Sequence, residues 1–274
     1  MIFQIAVTLF ALLFTASALH STLQSHASRS SRNDCKQISS VKIRAMPKHV
    51  AFIVDGNGRW AQKRGRQRID GHTVGANVTV DIVKKAFEIG VEYITLYLFS
   101  TENWNRPSHE VENIMSLLEK YLIDFSSYLK ENKIRLKTIG QTHRLPNSLR
   151  QLFNHLGNSG PHDGIAQQRT LCLAISYGGR DDIVQACVEL AQAVKRESIS
   201  SDMITEELFA KYTSTGRLGI PDPDLIIRTS GESRISNFLL WQCAYAEFAI
   251  VDKLCKSKGW HVSMSHSILW ERWS

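Results

Sequence analysis

Cysteine is scarce in this 274-residue chain and does not pair: five residues, at 35, 172, 187, 243 and 255, are odd in number and lack C-x-x-C spacing. That excludes a zinc ribbon and a disulfide framework and leaves reduced thiols, partly in a core. Net charge is also scarce once the chain is divided. Residues 1–48 hold six Lys/Arg against Asp34, whereas the remaining 226 hold 27 basic and 25 acidic groups. The formal +7 therefore sits largely in the leader, and no nucleic-acid partner is implied. Internal repeats and low-complexity tracts are absent. Long apolar runs are absent too, except Ile2–Leu19, broken by Gln4, Thr8, Thr15 and Ser17. A Ser/Arg/His-rich stretch without acids follows to Asn33. The 1–33 leader fits a signal anchor, an interfacial segment or a transit peptide. Residues 34–46 read as a linker, 47–251 as one folded domain and 252–274 as a tail.

The domain is organised around His49-Val-Ala-Phe-Ile-Val-Asp55-Gly56-Asn57-Gly58-Arg59-Trp60. Val50–Val54 predicts a buried strand, ending in an acid and a glycine turn that allows close backbone approach to a ligand. Arg59, Lys63, Arg64, Arg66 and Arg68 follow. A carboxylate at a strand's end, facing a glycine loop and arginines, suits a metal-bridged phosphate. Gly56-x-Gly58-x-x-Ala61 also matches a loose dinucleotide fingerprint. The next strand, however, ends in Ser100-Thr101 instead of the acid such a site wants on the ribose.

Further strands are predicted at Tyr93–Phe99, Ile134–Ile139, Thr170–Ser176, Leu225–Ile227 and Glu247–Val251. Helical periodicity runs over Gly71–Ile89, Ser108–Leu129, Pro146–Leu156, Ile183–Lys195 and about Thr205–Tyr212, with a short helix at Leu239–Ala244. Asn158–Gln168 reads as a loop, and Asp181-Asp182 as a helix N-cap. Strands alternating with helices predict a mostly parallel sheet, flanked by helices in a single α/β domain. Such a sheet carries its strand-end loops on one edge, where ligands bind. Here those loops supply Asp55 and Arg59, then Ser100 to Arg106, then Arg180, then Arg228 to Ser236. That set implies an anionic ligand and a divalent cation. Residues 111–129 form a wide apolar face suited to core packing or to the wall of an apolar cavity.

These stretches resemble the cis-prenyltransferase family, the undecaprenyl and dehydrodolichyl diphosphate synthases. The resemblance rests on Asp55-Gly-Asn-Gly-Arg-Trp-Ala61, Gly71-His72, Phe99-Ser-Thr-Glu-Asn-Trp-Asn-Arg-Pro107, Tyr177-Gly-Gly-Arg180, Asp224-Leu-Ile-Ile-Arg-Thr-Ser-Gly-Glu232, Arg234–Gln242 and Ala244-Tyr-Ala-Glu247, over about 200 residues. It implies an apolar tunnel and a Mg²⁺-dependent transferase that adds isopentenyl diphosphate to an allylic prenyl diphosphate primer, making a cis-polyprenyl diphosphate, a dolichol or polyprenol precursor. By this resemblance Asp55 is the central acid and a metal ligand, with Glu247 as the second. Gly56, Asn57, Gly58 and Arg59 cradle the primer diphosphate with Arg68 and His72, and Trp60 lies near the entry. Ser100 and Asn103 handle the departing proton, beside Thr101, Glu102, Trp104 and Arg106. Arg228, Arg234, Ile235 and Ser236 form the isopentenyl diphosphate clamp. The family pattern also implies a homodimer or a heterodimer with a related subunit, and membrane contact for the product at the endoplasmic reticulum or a plastid. Beyond Glu247 the chain departs from the family's Trp-Pro-containing segment. Two other readings are a non-catalytic partner subunit of such an enzyme and a dinucleotide-binding oxidoreductase.

Overall fold

The computed structural model describes residues 46–158 and 169–251. The expected leader, most of the linker, nearly all of the 158–168 loop and the 252–274 tail lie outside them. Among the described residues six strands form one sheet in the order β3-β4-β2-β1-β5-β6. They are β1 (His49–Ile53), β2 (Tyr93–Ser100), β3 (Arg135–Ile139), β4 (Thr170–Tyr177), β5 (Leu225–Thr229) and β6 (Glu247–Val251). Every pairing is parallel, so the expected α/β sheet is present and wholly parallel. The central strands are buried on both faces, which is why they read as unbroken apolar runs: β1, β4 and β5 are buried throughout.

The helices are α1 (Asn57–Gln62), α2 (Arg68–Glu88), α3 (Ser108–Glu131), α4 (Asn147–Asn158), α5 (Gly179–Lys195) and α6 (Glu206–Tyr212). One sheet face packs Val50, Phe52, Ile94, Leu96, Leu171 and Leu173 against Val83 and Phe87 of α2, Met115, Leu122 and Phe125 of α3, and Leu149 and Phe153 of α4. The other face packs Ala51, Ile53, Tyr97, Cys172 and Ala174 against Ile220, Phe238 and Leu239. None of the described helices is long and apolar enough to cross a membrane.

Three sequence expectations change. The glycine turn after Asp55 becomes α1, with Gly56 in the left-handed region at φ 90° as its N-cap. The expected helix at Leu239–Ala244 is a series of turns, preceded and opened by positive φ at Ser236, Asn237 and Leu239. Asp182 is not an N-cap; Gly178 is. Asp182 instead lies buried in the first turn of α5 and accepts hydrogen bonds from Tyr177 Oη, the Ser214 backbone and hydroxyl, and Gln242 Nε2. Those bonds tie the end of β4 to the 213–215 and 238–242 segments.

β1 is the switch point of the sheet. The chain builds outward on one side through β2, β4 and β3, and on the other through β5 and β6. The loops leaving β1, β2 and β5 therefore diverge around a crevice at the strands' carboxyl ends, where α/β sheets bind ligands.

Candidate active site

Asp55 stands at the head of that crevice. Its backbone is fixed from both sides: the Asp55 N–H donates to Thr229 Oγ1 at 2.8 Å, and the Thr229 hydroxyl donates to the Asp55 carbonyl at 2.7 Å. Because β1 and β5 are register-matched at Ile53 and Arg228, the Asp55 carboxylate meets the Arg228 guanidinium, with Nη2 donating to Oδ2 at 2.9 Å. Arg59, one helical turn on in α1, places Nη2 at 3.3 Å from the other carboxylate oxygen. Burial alone would raise the Asp55 pKa, but it is lowered, because the Arg228 hydrogen bond, the Gly56 N–H and the charges of Arg228 and Arg59 outweigh desolvation. The acid is therefore ionised at neutral pH.

Arg228 is buried, and a buried guanidinium requires partners. Besides Asp55 it donates to the Arg234 carbonyl and to Ser236 Oγ at 2.7 Å. Its Nε, like Asn57 Oδ1, is buried without a hydrogen-bond partner. Arg59 also donates to Ser230 Oγ at 2.7 Å and to Glu232 at 2.6 Å. Arg234 bonds the other oxygen of Glu232.

The second wall comes from the loop after β2. Thr101–Asn105 is a single 3₁₀ helix, closed by a capping box in which Ser100 and Asn103 satisfy each other's backbone groups. The box turns both side chains towards the same crevice. Glu102 accepts from Asn237 Nδ2 at 2.9 Å, linking this loop to that after β5. Arg106 and Arg68 converge on Glu110 at 2.9 and 3.6 Å.

The base of α1 lies against α2 because α2 has glycines there. A Cβ at Gly71 would stand 2.2 Å from the Asn57 carbonyl, and one at Gly75 2.6 Å from the Asn57 side chain. That contact aims Asn57, Gly58 and Arg59 at the crevice, beside Arg68 and His72 of α2.

A cavity of about 720 Å³ opens at this polar mouth and runs beneath it. Asp55 to Arg59, Arg68, His72, Ser100, Glu102, Asn103, Arg106, Arg228, Arg234 and Ser236 line the mouth. The body is apolar, walled by Val80 and Val83 of α2, Leu96 and Leu98 of β2, Ile114, Leu117, Leu118, Leu122 and Phe125 of α3, and Leu171 and Leu173 of β4. The apolar face of residues 111–129 thus serves core and cavity together, since Leu122 and Phe125 belong to both.

Five expected site residues lie elsewhere. Trp60 packs under Arg64, whose guanidinium carbon is 4.5 Å from the ring centre. Trp104 donates to Ser176 Oγ at 2.8 Å, meets Phe99 edge-on and lies beneath Arg144. Thr101 donates to Glu102 and closes against Gly178, and Ile235 packs in the core of the opposite face. These four support the walls without lining the cavity. Glu247 is at the wrong end of the sheet to join Asp55 within one chain. It is in register with Leu225, and Leu225 with Val50, five residues short of Asp55 and so roughly 16 Å along the strands.

A mouth of paired arginines and one central carboxylate, set over a deep hydrocarbon-lined cavity, suits a molecule with a polyanionic head and a long apolar tail. The family model described as "Putative undecaprenyl diphosphate synthase" matches residues 53–257. The chain is 44% identical over 222 residues to an isoprenyl transferase of Clostridium perfringens, covering 81% of this chain and 85% of that one. It belongs to the cis-prenyltransferase, or undecaprenyl diphosphate synthase, family. It is accordingly a prenyl-transferring enzyme.

Other members bracket it. A ditrans,polycis-undecaprenyl-diphosphate synthase of Micrococcus luteus, specific for (2E,6E)-farnesyl diphosphate, is 41% identical over 216 residues, 78% of this chain and 84% of that one. Among solved structures, lavandulyl diphosphate synthase from Lavandula x intermedia, in complex with dimethylallyl diphosphate, superposes with a TM-score of 0.73 at 34% identity. It covers 77% of this chain and 89% of that one. These cis-prenyltransferase relatives leave no place for the dinucleotide reading, which rested on a glycine pattern that here builds the α1–α2 contact.

Proposed function

We propose that this enzyme condenses isopentenyl diphosphate with an allylic prenyl diphosphate primer and repeats the step to make a cis-polyprenyl diphosphate, a polyprenol or dolichol precursor. The observation that carries the reading is the placement of Asp55, Arg59 and Arg228 at the mouth of an apolar cavity walled by α2 and α3. On this reading the primer diphosphate lies on Asn57–Arg59 with Arg68 and His72, and its tail enters the cavity. Arg228, Arg234 and Ser236 hold isopentenyl diphosphate, guanidinium forks matching paired phosphate oxygens. The π electrons of isopentenyl diphosphate form a carbon–carbon bond to the primer's first carbon as its carbon–oxygen bond breaks. Diphosphate departs, and a proton lost from the condensed chain leaves a cis double bond. Ser100 and Asn103, fixed by their capping box, are the proposed residues at that proton.

Mg²⁺ fits the mouth as an ion shared with substrate. It takes oxygen ligands and keeps waters, so one carboxylate plus phosphates is enough. Asp55 is that carboxylate. Among the described residues no group of three His, Cys, Asp or Glu side chains gathers into an all-protein site. When bound there, the ion would neutralise diphosphate charge and stabilise the leaving group. The chain's own contribution is to hold Asp55 ionised and to exclude water from the apolar body. Each buried CH₂ of the tail gains about 0.8 kcal/mol, so the cavity favours long products. An apolar product would be released to a membrane, and from the family resemblance we further propose a membrane-associated enzyme, at the endoplasmic reticulum or a plastid, assembled as a homodimer or with a related subunit.

The test is incubation of purified protein with farnesyl or geranylgeranyl diphosphate, labelled isopentenyl diphosphate and Mg²⁺, with extraction of labelled polyprenyl products. Absence of an Asp55-dependent product with every primer and partner subunit refutes the reading.

A further inference from the structure

Glu232 ends the Asp224–Glu232 stretch without a role of its own in the sequence reading, yet it joins two of the site's loops. One carboxylate oxygen accepts from Arg59 Nη1 at 2.6 Å and the other from Arg234 Nη1. Arg59 follows β1 and Arg234 follows β5, and both line the cavity mouth, whereas Glu232 stands behind them. Its side chain is 23% exposed, against 66% for Arg234. A single acid therefore spans the arginines assigned above to the two diphosphates.

We propose that Glu232 is an exchangeable counter-ion: it holds Arg59 and Arg234 between turnovers, yields them to diphosphate, and by its charge keeps that diphosphate from binding too tightly to leave. The proposal rests on the reading of these arginines as diphosphate ligands. Two effects of the carboxylate oppose each other. It orders two long side chains, which spares a ligand part of the ordering cost. It also places a negative charge on the far side of the guanidiniums that a multiply charged anion must use. Repulsion scales with the several charges of a diphosphate, whereas ordering saves the freedom of one or two side chains, so repulsion wins. An enzyme that sheds a diphosphate at every addition gains from weaker binding, since release limits many well-built sites.

The probe is inorganic pyrophosphate with Mg²⁺, titrated calorimetrically into the full chain and used to inhibit incorporation of isopentenyl diphosphate. Glu232→Gln is expected to bind pyrophosphate about tenfold more tightly, about 1.4 kcal/mol, with kcat and the KM for isopentenyl diphosphate falling together. Glu232→Asp keeps the charge on a shorter arm and is expected to stay within about twofold of the parent in pyrophosphate affinity. Glu189→Gln, in the remote Arg217 ion pair, controls for net charge and is expected to change neither quantity. Unchanged or weaker pyrophosphate binding by Glu232→Gln in a chain that elongates overturns the counter-ion role and leaves the prenyl-transfer reading intact. Failure of the unmodified chain to elongate overturns that reading instead, whatever the pyrophosphate affinities.

Discussion

Asp55 and His49 bracket the same strand, and each is shaped by burial in its own way. At Asp55 burial opposes ionisation, but Arg228 and Arg59 prevail. Asp55→Asn keeps the shape and removes the charge, leaving Arg228 buried beside a neutral amide. A loss of about 10²–10³ in kcat is expected, the scale of losing one preorganised electrostatic group, measured as labelled isopentenyl diphosphate incorporated. At His49 burial prevails and lowers the pKa to about 4. The ring is neutral, with Nδ1–H donating to the Pro221 carbonyl at 2.7 Å and Nε2 accepting from the Thr95 hydroxyl at 2.8 Å. The folded value lies below the unfolded 6.5, so the unfolded chain binds the extra proton first. Stability is complete above pH 6.5 and falls between 6.5 and about 4, by roughly 3 kcal/mol for the full shift. The lowered Asp55 pKa acts in the same direction at still lower pH. Denaturant unfolding at pH 7.5 and 4.5 checks this, and His49→Gln is expected to flatten the difference. Other residue roles were beyond sequence reading. Glu232 belongs to no periodic pattern: Arg234 is its local neighbour, but Arg59, the partner that ties it to the other loop, is brought from 173 residues away by tertiary structure. Trp104 and Trp60 looked like ligand groups but are held by Ser176 and Arg64.

Elements buried on both faces were legible because their surroundings impose one pattern on them. β1, β4 and β5 had to be apolar through their middles, with polar residues such as His49, Ser176 and Arg228 towards their ends, and their bounds differ by only one or two residues from the expected ones. Helix starts were less legible. α2 begins at Arg68 and α5 at Gly179, three and four residues before their expected starts, because neither first turn carries an apolar stripe: that of α2 lines the polar mouth through Arg68 and His72, and that of α5 is made of Gly179, Arg180, Asp181 and Asp182. α1 was hidden altogether, since Gly56 and Gly58 signal a turn locally and the helix is secured by distant Gly71 and Gly75. Gly71→Ala pushes a methyl into a backbone carbonyl, which cannot rotate away. A cost of about 1–3 kcal/mol is expected, with a raised KM for the primer as Asn57 and Gly58 shift; denaturant unfolding and initial rates measure the two effects. On the opposite wall, Phe125 closes the cavity body from α3. Phe125→Ala is expected to lengthen the product distribution, read by chromatography of dephosphorylated products, at a stability cost of about 3–5 kcal/mol.

At the scale of the whole molecule, alternating strands and helices predicted the parallel sheet, and the sheet predicted which edge would carry the ligand groups. Register was the part that the one-dimensional pattern did not show. It sets how far Glu247 lies from Asp55, while the parallel direction of β6 puts them at opposite rims, because an acid at the start of a parallel strand lies at the opposite rim from one at the end. The mouth draws on segments across the domain, so its ligands should brace the whole fold. Pyrophosphate with Mg²⁺ at a hundred times its Kd is expected to add about 2.7 kcal/mol, seen as an upward shift of the melting temperature that is diminished in Asp55→Asn. The pairing of β1 with β5 has one more consequence, which concerns synthesis. Asp55 and Arg228 are 173 residues apart, and at 5–20 residues per second a ribosome takes roughly 9–35 s to supply the second after the first. Through that interval β1, buried along its whole length in the finished fold, waits with one flank bare. The nascent polypeptide thus has an obligatory stage at which chaperone capture is favoured and the mouth of the cavity does not yet exist.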